Sequence, residues 1–135
     1  MPTKQAFGTW SSPFSPKAYA EMLTLNDVQW DGDTLVWHEN RGPRGVLVAQ
    51  TGDDAPHDLT AELSVRGAVG YGGGAFTTGH GYVYFSVGSR LYRQPLNGGV
   101  AKAITPAFAD VAAPRLSADG KWLLYVCSYE HHDGL

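Results

Sequence analysis

Cysteine is nearly missing from this sequence of 135 residues: Cys127 stands alone. A disulfide framework within the chain is thereby excluded, and a reducing compartment is the expected setting. Charge is scarce as well. Charged residues make up 17% of the chain, the net charge is -3, and no basic run occurs, so the electrostatic footprint of a nucleic-acid-binding protein is lacking. No apolar stretch reaches membrane-spanning length, and the opening MPTKQAFGTW has no apolar signal-peptide core. A cytoplasmic protein with neither a membrane nor a nucleic acid as partner is the expectation. Long helical periodicity is also wanting beyond residue 25.

What is present is material for β-structure. Hydrophobic residues make up 43% of the chain, with four tryptophans and seven tyrosines, a supply suited to a β core. Seventeen glycines and eight prolines punctuate it. Residues 1–25 form a lead-in segment where Pro13 and Pro16 exclude regular structure, apart from a short helix expected near Lys17 to Leu23 with Pro16 in its first turn. Then VQWDGDTLVWHEN alternates apolar and polar residues around an Asp-Gly pair, which predicts strand, tight turn and strand. The same grammar recurs in RGVLVAQTGDDAPHDLT, in GYVYFSVGSRLYRQPLNGGVAKAIT and in PRLSADGKWLLYVCSY.

The segments are also alike one to another. Asp31-Gly32, His80-Gly81 and Asp119-Gly120 each precede an apolar strand, with glycine offsets of 49 and 39. Downstream, Leu47 aligns with Leu91 and Thr60 with Thr105. Units of this length with four short strands have the period of a β-propeller blade. The expected architecture is all-β: a partial propeller of about two and a half four-stranded antiparallel blades, at 26–67, 68–108 and, incomplete, 109–135. Four blades need about 160 residues, so the chain reads as a piece of a longer protein.

Taken together, FGTWSSPFSP, VQWDGDTLVW, VRGAVGYGGGAFT, VYFSVGSRLYRQPLNGG, PRLSADGKWLLYV and SYEHHDGL resemble, in order, the N-terminal propeller of serine peptidases of the prolyl oligopeptidase family, in particular its bacterial dipeptidyl and acylaminoacyl peptidase-like members. The resemblance implies a parent protein in which the propeller lies over an α/β-hydrolase domain and restricts access to short peptide substrates. It also implies that the catalytic serine lies elsewhere. No G-x-S-x-G elbow occurs, and Ser86 and Ser89 in FSVGSR lack the flanking glycines. Some members carry a His-Glu pair just before Tyr-Gly-Gly-Gly. Val69 and Gly70 stand there in this chain, so no role of that pair carries over. Accordingly no catalytic, cofactor-binding or metal residue is expected. The alternative is a propeller that binds protein partners with no enzyme attached. A G-x-S-x-G, Asp and His downstream would discriminate the two.

Several stretches invite other readings. Gly70, Gly72 and Ala75 spell G-x-G-x-x-A, but a dinucleotide site needs a helix next, and AFTTGHGYVYF predicts a strand. The glycines then permit close backbone approach in an inner strand, with Val69, Tyr71 and Phe76 packed between blades. His131, His132 and Asp133 in EHHDG could ligate a metal, yet adjacent residues of a strand face opposite sides, and a turn is expected. His38, His57 and His80 have no partners at ligand spacing. Asp53, Asp54 and Asp58 lack the spacing of a calcium loop. Cys127, on one face with Leu123 and Tyr125, is expected to be a small buried apolar residue. Arg41, Arg44, Arg66, Arg90 and Arg93 are candidates to meet a peptide carboxylate. The uncovered faces and free strand edge of a partial propeller predict self-association.

Overall fold

The structure, a computed structural model, describes residues 4–9, 11, 15–17, 22–67, 69 and 74–129. Among the described residues, ten strands form three antiparallel sheets. Sheet 1 holds β1 (Leu23–Asp31), β2 (Thr34–Arg41), β3 (Arg44–Thr51) and β4 (His57–Asp58) in chain order. Sheet 2 repeats that order with β5 (Phe76–Gly79), β6 (Tyr82–Val87), β7 (Arg90–Pro95) and β8 (Lys102–Ala103). Sheet 3 pairs β9 (Asp110–Leu116) with β10 (Leu123–Ser128). Pro16 and Lys17 have helical backbone, and residues 18–21 lie outside the described residues. The helix expected to reach Leu23 does not, because Leu23 already pairs with Arg41 at the start of β1.

Tight hairpins follow from the turn residues. Gly79 and Tyr82 close a two-residue loop in which both His80 (φ 56°) and Gly81 (φ 80°) are left-handed. That is the backbone of a type I′ turn, whose twist matches that of the strands it joins. Alternation then sorts side chains onto faces. In β6, Val83 and Phe85 are fully buried while Tyr82 and Tyr84 are half-exposed.

The core lies between sheets 1 and 2. Val36, Leu47 and Ala49 of sheet 1 meet Phe76, Val83 and Phe85 of sheet 2, joined by Leu59, Val65 and Leu96 from the connections. Phe85 stacks on Tyr92 with ring centroids 5.8 Å apart. Each fully buried large side chain contributes on the order of 1.5–3 kcal/mol, so this seam dominates stability. Sheet 3 packs against the other face of sheet 2 through β9, where Leu116 reaches Gly79.

The sequence repeat returns as a repeated pair of bonds. Leu47 N donates to Thr60 Oγ1 at 2.9 Å, and Leu91 N donates to Thr105 Oγ1 at 2.9 Å. Leu59 N donates to Leu47 O and Ile104 N to Leu91 O, both at 2.8 Å. The three x-Gly turns also lie side by side. Gly81 N donates to Asp31 Oδ2 at 2.7 Å, and His80 Nε2 lies 3.3 Å from Ala118 O. Each sheet is thus tied to the next at the same corner.

Candidate functional site

Where the three sheets converge, a polar cavity of about 750 Å³ opens. Sheet 1 supplies Asn26, Asp27, His38 and Asn40, the connection after β4 supplies Arg66, and β9 supplies Arg115. Gly45, Val65, Gly74 and Ala75 form its backbone walls.

Two glycines set its width. A Cβ on Gly45 would overlap the Val65 carbonyl and stand 2.6 Å from His38 Nε2. A Cβ on Gly74 would stand 2.6 Å from Asp27 Oδ2 and 3.5 Å from Arg115 Nη1. Gly74 therefore threads between a carboxylate of sheet 1 and a guanidinium of sheet 3, while its own carbonyl accepts from Ala113 N at 3.1 Å. This is the close approach expected of the glycine run. The strand, however, begins only at Phe76: Gly74 and Ala75 lead into it, Val69 lies in a bend lining the cavity, and Gly70–Gly73, Tyr71 included, lie outside the described residues. A strand, not a helix, follows the glycines, so the geometry of a dinucleotide cradle is missing.

His38 is held in one tautomer. The Val65 carbonyl can only accept, so Nε2, 3.2 Å away, carries the proton. Nδ1 is then free to accept from Asn26 Nδ2 at 3.5 Å. Burial pushes the imidazole below its ordinary pKa, against the opposing pull of the Val65 carbonyl and of Asp27. Asp27 accepts from Val28 N at 2.9 Å and from Gln29 Nε2 at 3.3 Å. Gln29 also donates to Phe76 O at 3.1 Å and accepts from Thr78 N at 3.2 Å, locking sheet 1 to sheet 2 beneath the cavity. Arg115 Nη1 donates to Pro114 O at 3.1 Å and to Phe76 O at 3.4 Å. The cavity thus presents neutral imidazole, amides, one carboxylate and two guanidiniums, a set suited to the polar backbone and charged ends of a small ligand.

Of the arginines singled out in the sequence, only Arg66 lines this cavity. Arg41 donates to Glu39 at 2.7 Å and to both Asp58 oxygens at 2.8 and 2.9 Å, which holds the Asp58 carboxyl below its usual range. Arg44 donates to Thr60 O, and Arg93 lies 4.8 Å over the Tyr82 ring. Arg90 opens β7 in an exposed position. Arg115 and Asp27 were missed. Each stands four residues before the Asp of an Asp-Gly pair, a spacing too sparse to have singled them out.

Ser86 is fully buried with Oγ donating to Ala75 O at 3.1 Å, and Ser89 sits in the β6–β7 turn. Asp53 and Asp54 lie in the β3–β4 turn, away from Asp58 in β4. His57 lies in β4 and His80 in a turn. Cys127 does share a side of β10 with Leu123 and Tyr125, but it is half-exposed, not buried, because β10 has no strand on its outer edge among the described residues. Burial and the neighbouring Cys127 push the Tyr125 hydroxyl above its ordinary pKa. The stretch EHHDG at 130–134 lies outside the described residues. No helix is long and apolar enough to cross a membrane among the described residues. No family model matches the chain, and no curated protein matches it.

Proposed function

We propose that this chain is the non-catalytic propeller portion of a serine peptidase of the prolyl oligopeptidase family, gating the path of short peptides to a hydrolase domain elsewhere in the parent. The observation that carries the reading is the convergence of three successive, corner-linked sheets on one polar cavity lined by residues of sheets 1 and 3 and by the chain leading into sheet 2. In a propeller that convergence is the axial channel. Asp27, Arg66 and Arg115 then act as wall groups that meet a peptide's polar ends, and the sheets exclude folded chains by their width. Acyl transfer is assigned to the hydrolase domain.

The test uses the product of the complete reading frame that encodes this chain. It should react with a fluorophosphonate probe and hydrolyse aminoacyl or dipeptidyl chromogenic substrates, while the 135-residue chain does neither. A complete product that lacks a G-x-S-x-G, and shows no labelling, would replace this reading with a protein-binding propeller.

A further inference from the structure

Among the described residues, an Asp or Asn stands directly before a glycine at Asp31-Gly32, Asn97-Gly98 and Asp119-Gly120, each at a turn. A glycine nitrogen, unshielded by a Cβ, can close on the side-chain carbonyl carbon of the residue before it. The structure treats the three pairs differently. Asp31 Oδ2 accepts from Gly81 N at 2.7 Å. Asp119 Oδ1 accepts from Ser117 Oγ at 2.6 Å and from Lys121 N at 3.2 Å. Gly120 N, the nitrogen that would attack, is itself committed to Ser117 O at 2.9 Å. Both side chains are also carboxylates, and an ionised carboxylate resists a nucleophile that an amide admits.

Asn97 differs on every count. Its side chain is an amide, it is exposed, and it makes no hydrogen bond among the described residues. The turn from Thr51 to Asp54 is closed by Asp54 N on Thr51 O at 3.0 Å, as the turn from Ser117 to Gly120 is closed at 2.9 Å. No such bond reaches Gly98, so its N–H is free. Gly98 (φ 99°) and Gly99 (φ 126°) are both left-handed, and a Cβ on Gly98 would meet nothing within 4 Å. The chain is anchored one residue earlier, where the buried Leu96 donates from its N to Gly81 O at 2.9 Å. The other asparagines are held: Asn26 Nδ2 lies 3.5 Å from His38 Nδ1, and Asn40 pairs with Gly45 inside sheet 1. Both also precede residues with side chains, Asp27 and Arg41.

We propose that Asn97 is a site of spontaneous modification, converting to aspartate and isoaspartate in the folded protein. Gly98 N gives its proton to water and attacks Asn97 Cγ. The bond from Cγ to the side-chain nitrogen breaks, and ammonia leaves. Water then opens the resulting succinimide at either of its carbonyl carbons. Attack at Cγ gives aspartate, and attack at the main-chain carbonyl gives isoaspartate. Nothing is oxidised or reduced, and water is the sole co-reactant. The product carries a new carboxylate in a cleft of about 310 Å³ that Asn97 shares with Asp31, Thr34, Thr51 and Gly81. The inference rests on the turn's geometry and does not depend on the peptidase reading.

The experiment incubates the full chain at mildly alkaline pH in heavy-oxygen water, with peptide mapping by mass spectrometry and enzymatic methylation of isoaspartate as readouts. A synthetic peptide of residues 95–101 serves as the unstructured reference, and circular dichroism verifies the β-fold of each variant. Asn97 should convert at least tenfold faster than Asn26 and Asn40, taking up one heavy oxygen. Its rate in the folded chain should lie within fivefold of the peptide's, because the open turn leaves the attacking nitrogen free. Gly98→Ala should slow conversion at least fivefold, and Asn97→Ser should abolish the isoaspartate signal. A folded chain that converts more than fivefold slower than the peptide overturns the proposal, since the turn would then protect the site. Conversion spread evenly over the three asparagines, or an isoaspartate signal that survives Asn97→Ser, also overturns it.

Discussion

The matched hydroxyls of Thr60 and Thr105 allow the repeat to be tested energetically. Each accepts from a leucine amide at 2.9 Å, but Thr60 is buried at 2% exposure and Thr105 is half-exposed. Replacing either by valine keeps the shape and removes the acceptor. At Thr60 the Leu47 N–H is then stranded without water, at a cost of about 1–3 kcal/mol. At Thr105 water can reach the Leu91 N–H, so the cost falls to about 0.5–1.5 kcal/mol. With a urea slope of roughly 2 kcal/mol/M, Thr60→Val should lower the unfolding midpoint by about 1 M and Thr105→Val by about half as much. Thr60→Ser retains the acceptor and should recover most of the loss, less the contribution of one buried methyl. Urea titrations followed by tryptophan fluorescence read both. Neutral valine variants, or a larger loss at Thr105 than at Thr60, would show that the shared bond does not carry the shared role.

Gly45→Ala forces a methyl into the Val65 carbonyl and against His38. The expected cost is about 2–4 kcal/mol, from overpacking and a weakened buried hydrogen bond, read by the same titration; a change under 0.5 kcal/mol would mean that the wall yields freely. His38 has its folded pKa below the ordinary value of 6.5. Between the two values the unfolded chain binds the proton that the folded chain refuses, so its share of stability is intact above about pH 6.5 and is lost as pH falls from there toward the folded pKa. His38→Gln should flatten that part of the stability curve between pH 7 and 5, where Asp58, already ionised, contributes no slope; an undiminished slope in the variant would refute the assignment.

The strand pairs and their turns were legible in the sequence because period-two alternation and x-Gly pairs act locally. The alignment of Thr60 with Thr105 was visible too, and the structure supplies its reason, a side-chain acceptor for an interior amide. The cavity was not legible. Its walls come from residues 27, 66, 74 and 115, which no local pattern joins, and the arginines that stood out in the sequence mostly serve neighbours within their own sheet. Arg41 is committed to Glu39 and Asp58, and Arg44 to Thr60. The strand onset at Phe76 was misplaced for a related reason. Glycines next to aromatic residues look like strand, but Gly74 is spent on slipping past Asp27, and pairing starts only once the chain has cleared it.

The connection from Leu59 to Arg66 has a consequence for how the molecule comes apart. Leu59 N is bound to Leu47 and Val65 N to Gly45 on one side, while Leu59 O takes Gln94 and Arg66 N takes Ser86 O on the other. The seam near residue 67 that divides the sequence into repeats is therefore not a seam in cooperativity. Sheets 1 and 2 should protect their amides from exchange as one unit, and a protease cut just after Arg66 would release neither half as a folded piece. The repeat marks where strands recur, whereas the unit of unfolding expected from these bonds spans two repeats.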